Sequence, residues 1–145
     1  MSDLGLTHVA FAVKDLGASV RFYETFANMR VIHRRGGDEP GAAVAWVSDM
    51  TRPFVIVLIQ AAGFNDTPLG PFGHLGVACA TRDEVTRLAE LARAQGRLRS
   101  GPTDSPPPVG YWCYVADPDG NTLELSHGQV VAFTVEEAKA HPPAD

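Results

Sequence analysis

Apolar residues fall into short strand-like runs along this chain and twice switch to helical spacing, so the pattern reads as strand, helix and further strands, then the same again. The first half opens with the β-rich run Leu6 to Val13. Asp15 follows where it can cap a helix reaching about Asn28, with Val20, Phe22, Tyr23 and Phe26 at its apolar positions. Three short strands are predicted next: Met29 to Arg34, Ala42 to Ser48 and Phe54 to Gln60. The turn-forming stretches from Gly36 to Pro40 and from Asp49 to Pro53 separate them.

The second half repeats this order. His74 to Ala80 reads as a strand, and Thr81 caps a helix from Arg82 to Gln95 whose Val85, Leu88, Ala89, Leu91 and Ala92 form one apolar stripe, ended by Gly96. A short strand near Leu98 gives way to Gly101 to Pro108, too rich in proline for a central strand. Val109 to Ala116 and Asn121 to Ser126 then form a hairpin. Thr134 to Glu137 has capping-box spacing for a short terminal helix, and the end from Pro142 to Asp145 is expected to fray. The fold class is therefore α+β, with two tandem βαβββ modules. One domain over residues 1–145 contains modules 1–62 and 73–130, a Gly- and Pro-rich linker 63–72 and a tail 131–145.

With an offset of 66 residues, His8 falls on His74, Asp15 on Thr81, Phe22 on Leu88 and Leu58 on Glu124. His8, His74 and Glu124 each sit in a predicted strand, a layout from which three distant segments can build one metal site. In the second hairpin, Asp117, Pro118 and Gly120 specify a type I turn with a bulge, since Gly120 supplies the positive φ that such a loop needs. Asp117 then faces Asn121, and Tyr114 faces Glu124 on the same side of the sheet. A plain two-residue turn would instead place Cys113 opposite Glu124.

Charge and composition narrow the partners. A net charge of −5 and an isoelectric point near 5.4 argue against a nucleic-acid backbone or an anionic membrane and leave a small molecule as the expected partner. The two cysteines, Cys79 and Cys113, lie in predicted strands and read as small buried hydrophobes, which fits cytoplasmic residence. No apolar run approaches the ~20 residues of a membrane span, and the Met-Ser-Asp start lacks the character of an export signal.

Three stretches carry a resemblance: Leu6 to Asp15 with Phe22-Tyr23 in the helix that follows, Gly73 to Ala78, and Tyr114 to Glu124. Together they resemble the vicinal oxygen chelate superfamily of glyoxalase I, extradiol dioxygenases, fosfomycin-resistance transferases and bleomycin-resistance proteins. The resemblance implies two βαβββ modules, each a cupped mixed β-sheet half-barrel. It also implies a metal held between two such modules, often from different subunits of a homodimer. His8, His74 and Glu124 carry over as the ligands. Two imidazoles and one carboxylate leave coordination positions open, which suits Fe2+ or Mn2+ ahead of Zn2+ or Ni2+ and argues for a catalytic ion.

Within that resemblance, the residues point to a metal-dependent enzyme acting on adjacent oxygens. Extradiol ring cleavage stands slightly ahead of a glyoxalase I-like lyase or isomerase. Tyr114 stands where the dioxygenase signature has an active-site tyrosine, although it reads equally as an aromatic filling a cross-strand pair. Glyoxalase I resembles a four-ligand arrangement, and here the position matching Glu124 is Leu58. Gln60, two residues on, is expected to be a strand-end residue bonded to the linker. His33, His127 and His141 are read as surface, turn and tail residues. Trp46, Trp112 and Phe72 are candidate cavity walls, and the arginines suggest an anionic substrate without choosing among themselves. The alternatives are a metal-free drug-binding protein of the bleomycin-resistance kind and a thiol transferase of the fosfomycin-resistance kind.

Overall fold

A computed structural model describes residues 6–36, 43–61, 69 and 72–141 and divides them into two compact units. The first unit comprises residues 1–73 with the turn Asp117–Asn121, and the second comprises His74–Ala116 with 122–145. The first contains β1 (His8–Val13), α1 (Leu16–Ala27), β2 (Arg30–Arg35), β3 (Val44–Ser48) and β4 (Val55–Gln60). Its sheet has the order β1-β4-β3-β2, with β1 parallel to β4 and the other pairs antiparallel. Asp15 caps α1 by accepting from Ala18 N at 2.9 Å, and Asn28 ends the helix in the left-handed region at φ 50°. The buried stripe of α1, Leu16, Val20, Tyr23 and Phe26, meets the sheet face formed by Phe11, Val13, Ala45, Val47, Ile56 and Leu58. Burial of each such large apolar side chain contributes about 1.5–3 kcal/mol.

The second unit repeats the plan with β5 (His74–Ala78), α2 (Arg82–Ala94), β6 (Leu98–Ser105), β7 (Gly110–Ala116), β8 (Thr122–His127) and a terminal α3 (Val131–Ala140). Its sheet order is β5-β8-β7-β6, again with one parallel pair, β5 and β8. Thr81 Oγ1 accepts from Glu84 N at 3.1 Å. Asp83 and Glu84 in the first turn and Arg93 in the last suit the helix dipole. Val85, Leu88, Ala89 and Ala92 bury against Cys113, Val115, Leu123 and Leu125. The α+β class and the repeated βαβββ order hold. The fold is two four-stranded mixed sheets, neither closed into a barrel.

Several expectations change. β6 does not stop near Leu98 but continues to Ser105, since as an edge strand it tolerates Pro102 where its pairing with β7 skips from Ser100 to Thr103. α3 starts at Val131, ahead of Thr134, after a left-handed Gly128, and its N-cap Val130 makes no side-chain cap hydrogen bond. Cys79 lies just past β5 and is only half-buried, although its N–H still donates to Ser126 O at 2.7 Å. Residues 37–40 of the first turn, 63–68, 70 and 71 of the linker, and the tail 142–145 lie outside the described residues.

The turn between β7 and β8 forms as expected, closed by Gly120 N to Asp117 O at 3.1 Å and Asp117 N to Asn121 O at 2.8 Å, with Gly120 at φ 87°. The buried Asp117 carboxylate accepts from Asp119 N (2.9 Å), Asn121 N (2.8 Å), Asn121 Nδ2 (3.2 Å) and the Tyr23 hydroxyl of α1 (2.9 Å). Asp119 adds bonds from Lys14 N and Ser19 Oγ. Burial, then the nearby Asp117 charge, pushes the Tyr23 phenol well above its ordinary range, so it stays a donor.

The two halves differ by one residue in register. His8 pairs with Val55 in the first unit, whereas His74 pairs with Thr122 in the second. Glu124, opposite Gly76, therefore corresponds to Val57, opposite Ala10, and not to Leu58. Leu58 is fully buried on the helix side of its sheet, and Gln60 shares that side. The Gln60 Oε1 accepts from Leu16 N at 2.8 Å, so it completes the first turn of α1.

Removing the hydroxyl in Tyr23→Phe strips one donor from a buried carboxylate, and equilibrium urea unfolding should show a loss of about 1–3 kcal/mol. Burial first, then Cys79 and Glu124, push the Cys113 thiol up to about 12. The folded state thus holds this proton where the unfolded chain releases it. Stability should fall by up to ~1.4 kcal/mol per pH unit as pH rises from the ordinary 9.0 toward about 12. The stability difference between the wild type and Cys113→Ala, constant at lower pH where it reflects only the lost packing, should change with pH only in that window.

Candidate metal centre

The sheet face of the second unit turned away from α2 carries an uncommon set of polar side chains. His74, Thr122 and Ala116 share one row across β5, β8 and β7, Gly76, Glu124 and Tyr114 the next, and Ala78, Ser126 and Trp112 the third. The opposite face is marked by Tyr111, whose hydroxyl contacts Thr86 of α2 at 2.8 Å and whose ring lies under Arg82 at 4.0 Å. The period of two along each strand keeps the two sets apart.

His74 Nε2 lies 3.2 Å from Glu124 Oε2. Glu124 is only 7% exposed, which is costly for a carboxylate unless a partner or an ion compensates. A Cβ at Gly76 would stand 3.6 Å from Glu124 Oε2, so the glycine keeps the wall beside the carboxylate thin. The Tyr114 ring is 5.0 Å from the His74 ring and 4.6 Å from that of Trp112, whose Nε1 donates to Ser105 Oγ at 3.0 Å. Burial, then the Glu124 charge opposite, raise the Tyr114 phenol, so it offers a proton and does not act as a base at neutral pH. Arg99 of β6 donates through Nη1 to Thr122 Oγ1, on the same face.

In the first unit, His8 begins β1 and is exposed, with Nδ1 2.9 Å from Thr7 Oγ1. It shares its sheet face with Ala10, Val57, Trp46 and His33. His33 is exposed, as expected, and its ring packs 4.9 Å from that of Trp46, whose Nε1 is buried with no hydrogen-bond partner among the described residues. His127 Nδ1 contacts Cys79 O at 3.1 Å from the α2 side of its sheet, away from Glu124. His141 follows α3 with Nδ1 3.3 Å from Glu137 O. Phe72 is 76% exposed.

The structure thus unites His74, Glu124 and Tyr114 in one unit and carries His8 on the other. Within each unit, the described residues gather no group of three His, Cys, Asp or Glu side chains spaced to hold an ion. The donor chemistry nonetheless fits a divalent cation: one imidazole and one desolvated carboxylate converge, and the same sheet face supplies a phenol and hydroxyls. Thr122 and Ser126 could have been found from even spacing about Glu124. Arg99 carried no such signal, because the edge strand bearing it was expected to end.

The family profile of the Glyoxalase/Bleomycin resistance protein/Dioxygenase superfamily matches residues 5–125. The chain belongs to this superfamily. An uncharacterized protein of Pseudomonas aeruginosa is 41% identical over 126 residues, covering 86% of this chain and 89% of that protein. A lactoylglutathione lyase of Arabidopsis thaliana is 32% identical over 125 residues, and the alignment covers 81% of this chain but only 42% of the length of that protein. Among solved structures, a glutamate-to-glutamine variant of the fosfomycin resistance protein FosX from Listeria monocytogenes shares the fold. It was solved with Mn(II) and 1S,2S-dihydroxypropylphosphonic acid, and the TM-score is 0.70 at 20% identity over 89% of this chain and 95% of that one.

A carboxylate kept as dry as Glu124 is a cost to the stability of the fold. Glu124→Leu should therefore stabilise protein stripped of metal with a chelator by about 1 kcal/mol, read from the urea midpoint. An unchanged or lowered midpoint contradicts that cost.

Proposed function

We propose that this chain is a divalent-metal-dependent enzyme acting on a small molecule with adjacent oxygens, and that His74 and Glu124, joined by His8, hold the ion. The buried contact of the Glu124 carboxylate with His74 Nε2 carries the reading. A divalent ion held there would take two neighbouring substrate oxygens as ligands, draw electron density from them and acidify the adjacent C–H.

The chain's own groups supply the remainder. The Tyr114 phenol, held protonated, can donate a hydrogen bond to an oxygen on which charge develops. The Trp112 and Tyr114 rings give the substrate an apolar wall, and the cover that leaves Glu124 nearly unexposed excludes water. The lyase relative favours proton-transfer chemistry of the lyase or isomerase kind over the ring cleavage that Tyr114 suggested in the sequence. Fe2+ or Mn2+ suits one carboxylate and two imidazoles, and a homodimer working in the cytoplasm is part of the same reading.

A second reading rests on the same rings. Trp112 and Tyr114 could stack on a planar compound that is bound without metal, as in a drug-sequestering protein.

Elemental analysis separates the two. Protein refolded or dialysed with Mn2+ should retain about one ion per site. His8→Ala, His74→Ala and Glu124→Ala should each lower metal affinity on the order of 10- to 100-fold or more, because the ion keeps its charge while donors are lost. Wild type that takes up no metal yet binds planar drugs would favour sequestration.

A further inference from the structure

His8 is the first residue of β1, and its side chain is exposed. The residue before it, Thr7, is fixed through its main chain: Thr7 O accepts from Val55 N at 3.1 Å, and Val55 is the register partner of His8. The Thr7 hydroxyl lies 2.9 Å from His8 Nδ1 and is, among the described residues, the hydrogen-bond partner of that ring. In the second unit, by contrast, the Tyr114 ring at 5.0 Å and the Glu124 carboxylate at 3.2 Å place the His74 ring. An exposed ring with no such wall samples several χ1 rotamers, and stopping that motion costs affinity for whatever the ring must bind. A neutral imidazole has one N–H and one lone pair. When it ligates a metal, the lone pair of one nitrogen meets the ion and the N–H of the other donates to an acceptor. With Nδ1 against Thr7, Nε2 is the nitrogen left to meet an ion. Nδ1 then carries the proton and donates to Thr7 Oγ1, which can accept while its own proton turns to solvent.

We propose that Thr7 is the positioning residue of His8: its hydroxyl holds Nδ1, fixes the rotamer of the ring and leaves Nε2 as the donor to the divalent ion. The assignment of Nε2 rests on the metal-site reading, whereas the hold of Thr7 on the ring does not. Thr7 is exposed, lies outside the buried core and joins the sheet through its main-chain oxygen. Thr7→Val, close in shape and suited to a strand, therefore removes the hydroxyl and keeps the fold.

The experiment compares the wild type, Thr7→Val and Thr7→Ser as full chains. In metal-free protein, three-bond NMR couplings at His8 should report a single χ1 rotamer in the wild type and in Thr7→Ser, and averaging over several in Thr7→Val. In Zn2+-loaded wild type, long-range 1H–15N spectra should show His8 coordinated through Nε2 and protonated on Nδ1. Calorimetric Mn2+ affinity should fall about three- to tenfold in Thr7→Val and recover in Thr7→Ser, with the urea midpoints unchanged. Rotamer averaging in the wild type, coordination through Nδ1, or a Thr7→Val that matches the wild type in rotamer or in affinity overturns the assignment. A wild type that takes up no ion ends the metal reading and the Nε2 assignment with it. The couplings in metal-free protein then decide separately whether Thr7 holds the ring.

Discussion

Asp117 keeps a negative charge inside the protein, and the need to compensate it organises much of what surrounds it. Two backbone N–H groups of its own turn, the Asn121 amide and the Tyr23 hydroxyl all point to one carboxylate. A buried carboxylate left short of donors is expensive, so this turn has few alternative conformations that cost as little. The turn in turn sets how β7 meets β8: Ala116 opposite Thr122, then Tyr114 opposite Glu124. A slip of one residue would send Glu124 to the α2 side among Cys113, Val115 and Leu125 and leave the other face without its carboxylate. The chemistry on that face thus depends on hydrogen bonds made to a different residue several positions away.

The same reasoning explains why the internal repeat is inexact where it matters. The first half reaches its last strand one residue sooner than the second, as the pairs His8 with Val55 and His74 with Thr122 show. Side chains alternate along a strand, so a single residue exchanges the faces. Matching the halves by a constant offset puts Leu58 in the place of Glu124 and lends Gln60 the parity of a ligand. The true counterpart is Val57, and Gln60 faces the helix, where it bonds Leu16 N. The duplicated scaffold therefore presents two different faces away from its helices. One has a valine, a tryptophan and histidines, and the other has a histidine, a carboxylate and hydroxyls.

Local signals in the chain were legible because single side chains decide them. Asp15 and Thr81 cap the helices they were expected to cap, and Gly120 takes the positive φ of the bulged turn, so the Tyr114–Glu124 pairing could be derived before any coordinates. What escaped depended on tertiary context. Prolines argue against a strand only if its N–H groups are needed, and on the edge strand β6 they are not. The start of α3 follows a left-handed glycine and not a capping side chain. The bond from Arg99 to Thr122 joins strands that are close only in the fold, so no local pattern announces it.

Glu124 and Asp117 show how two buried carboxylates in one chain come to have opposite uses. Asp117 is surrounded by donors, so its lone pairs are committed and it serves the fold. Glu124 Oε2 lies against the Nε2 of His74, a nitrogen that can donate or accept depending on its tautomer, and Tyr114, Ser126 and Thr122 share its sheet face. A carboxylate held in that way is costly to bury, and the well-packed α2 side of the same sheet can offset that cost. Leu123 and Leu125, its immediate neighbours in the strand, are almost wholly buried on that side. The alternation of β8 thus places the stabilising residues and the costly carboxylate next to each other in sequence. For that reason, a substitution at Leu123 or Leu125 would disturb the position of Glu124 as surely as one on its own face.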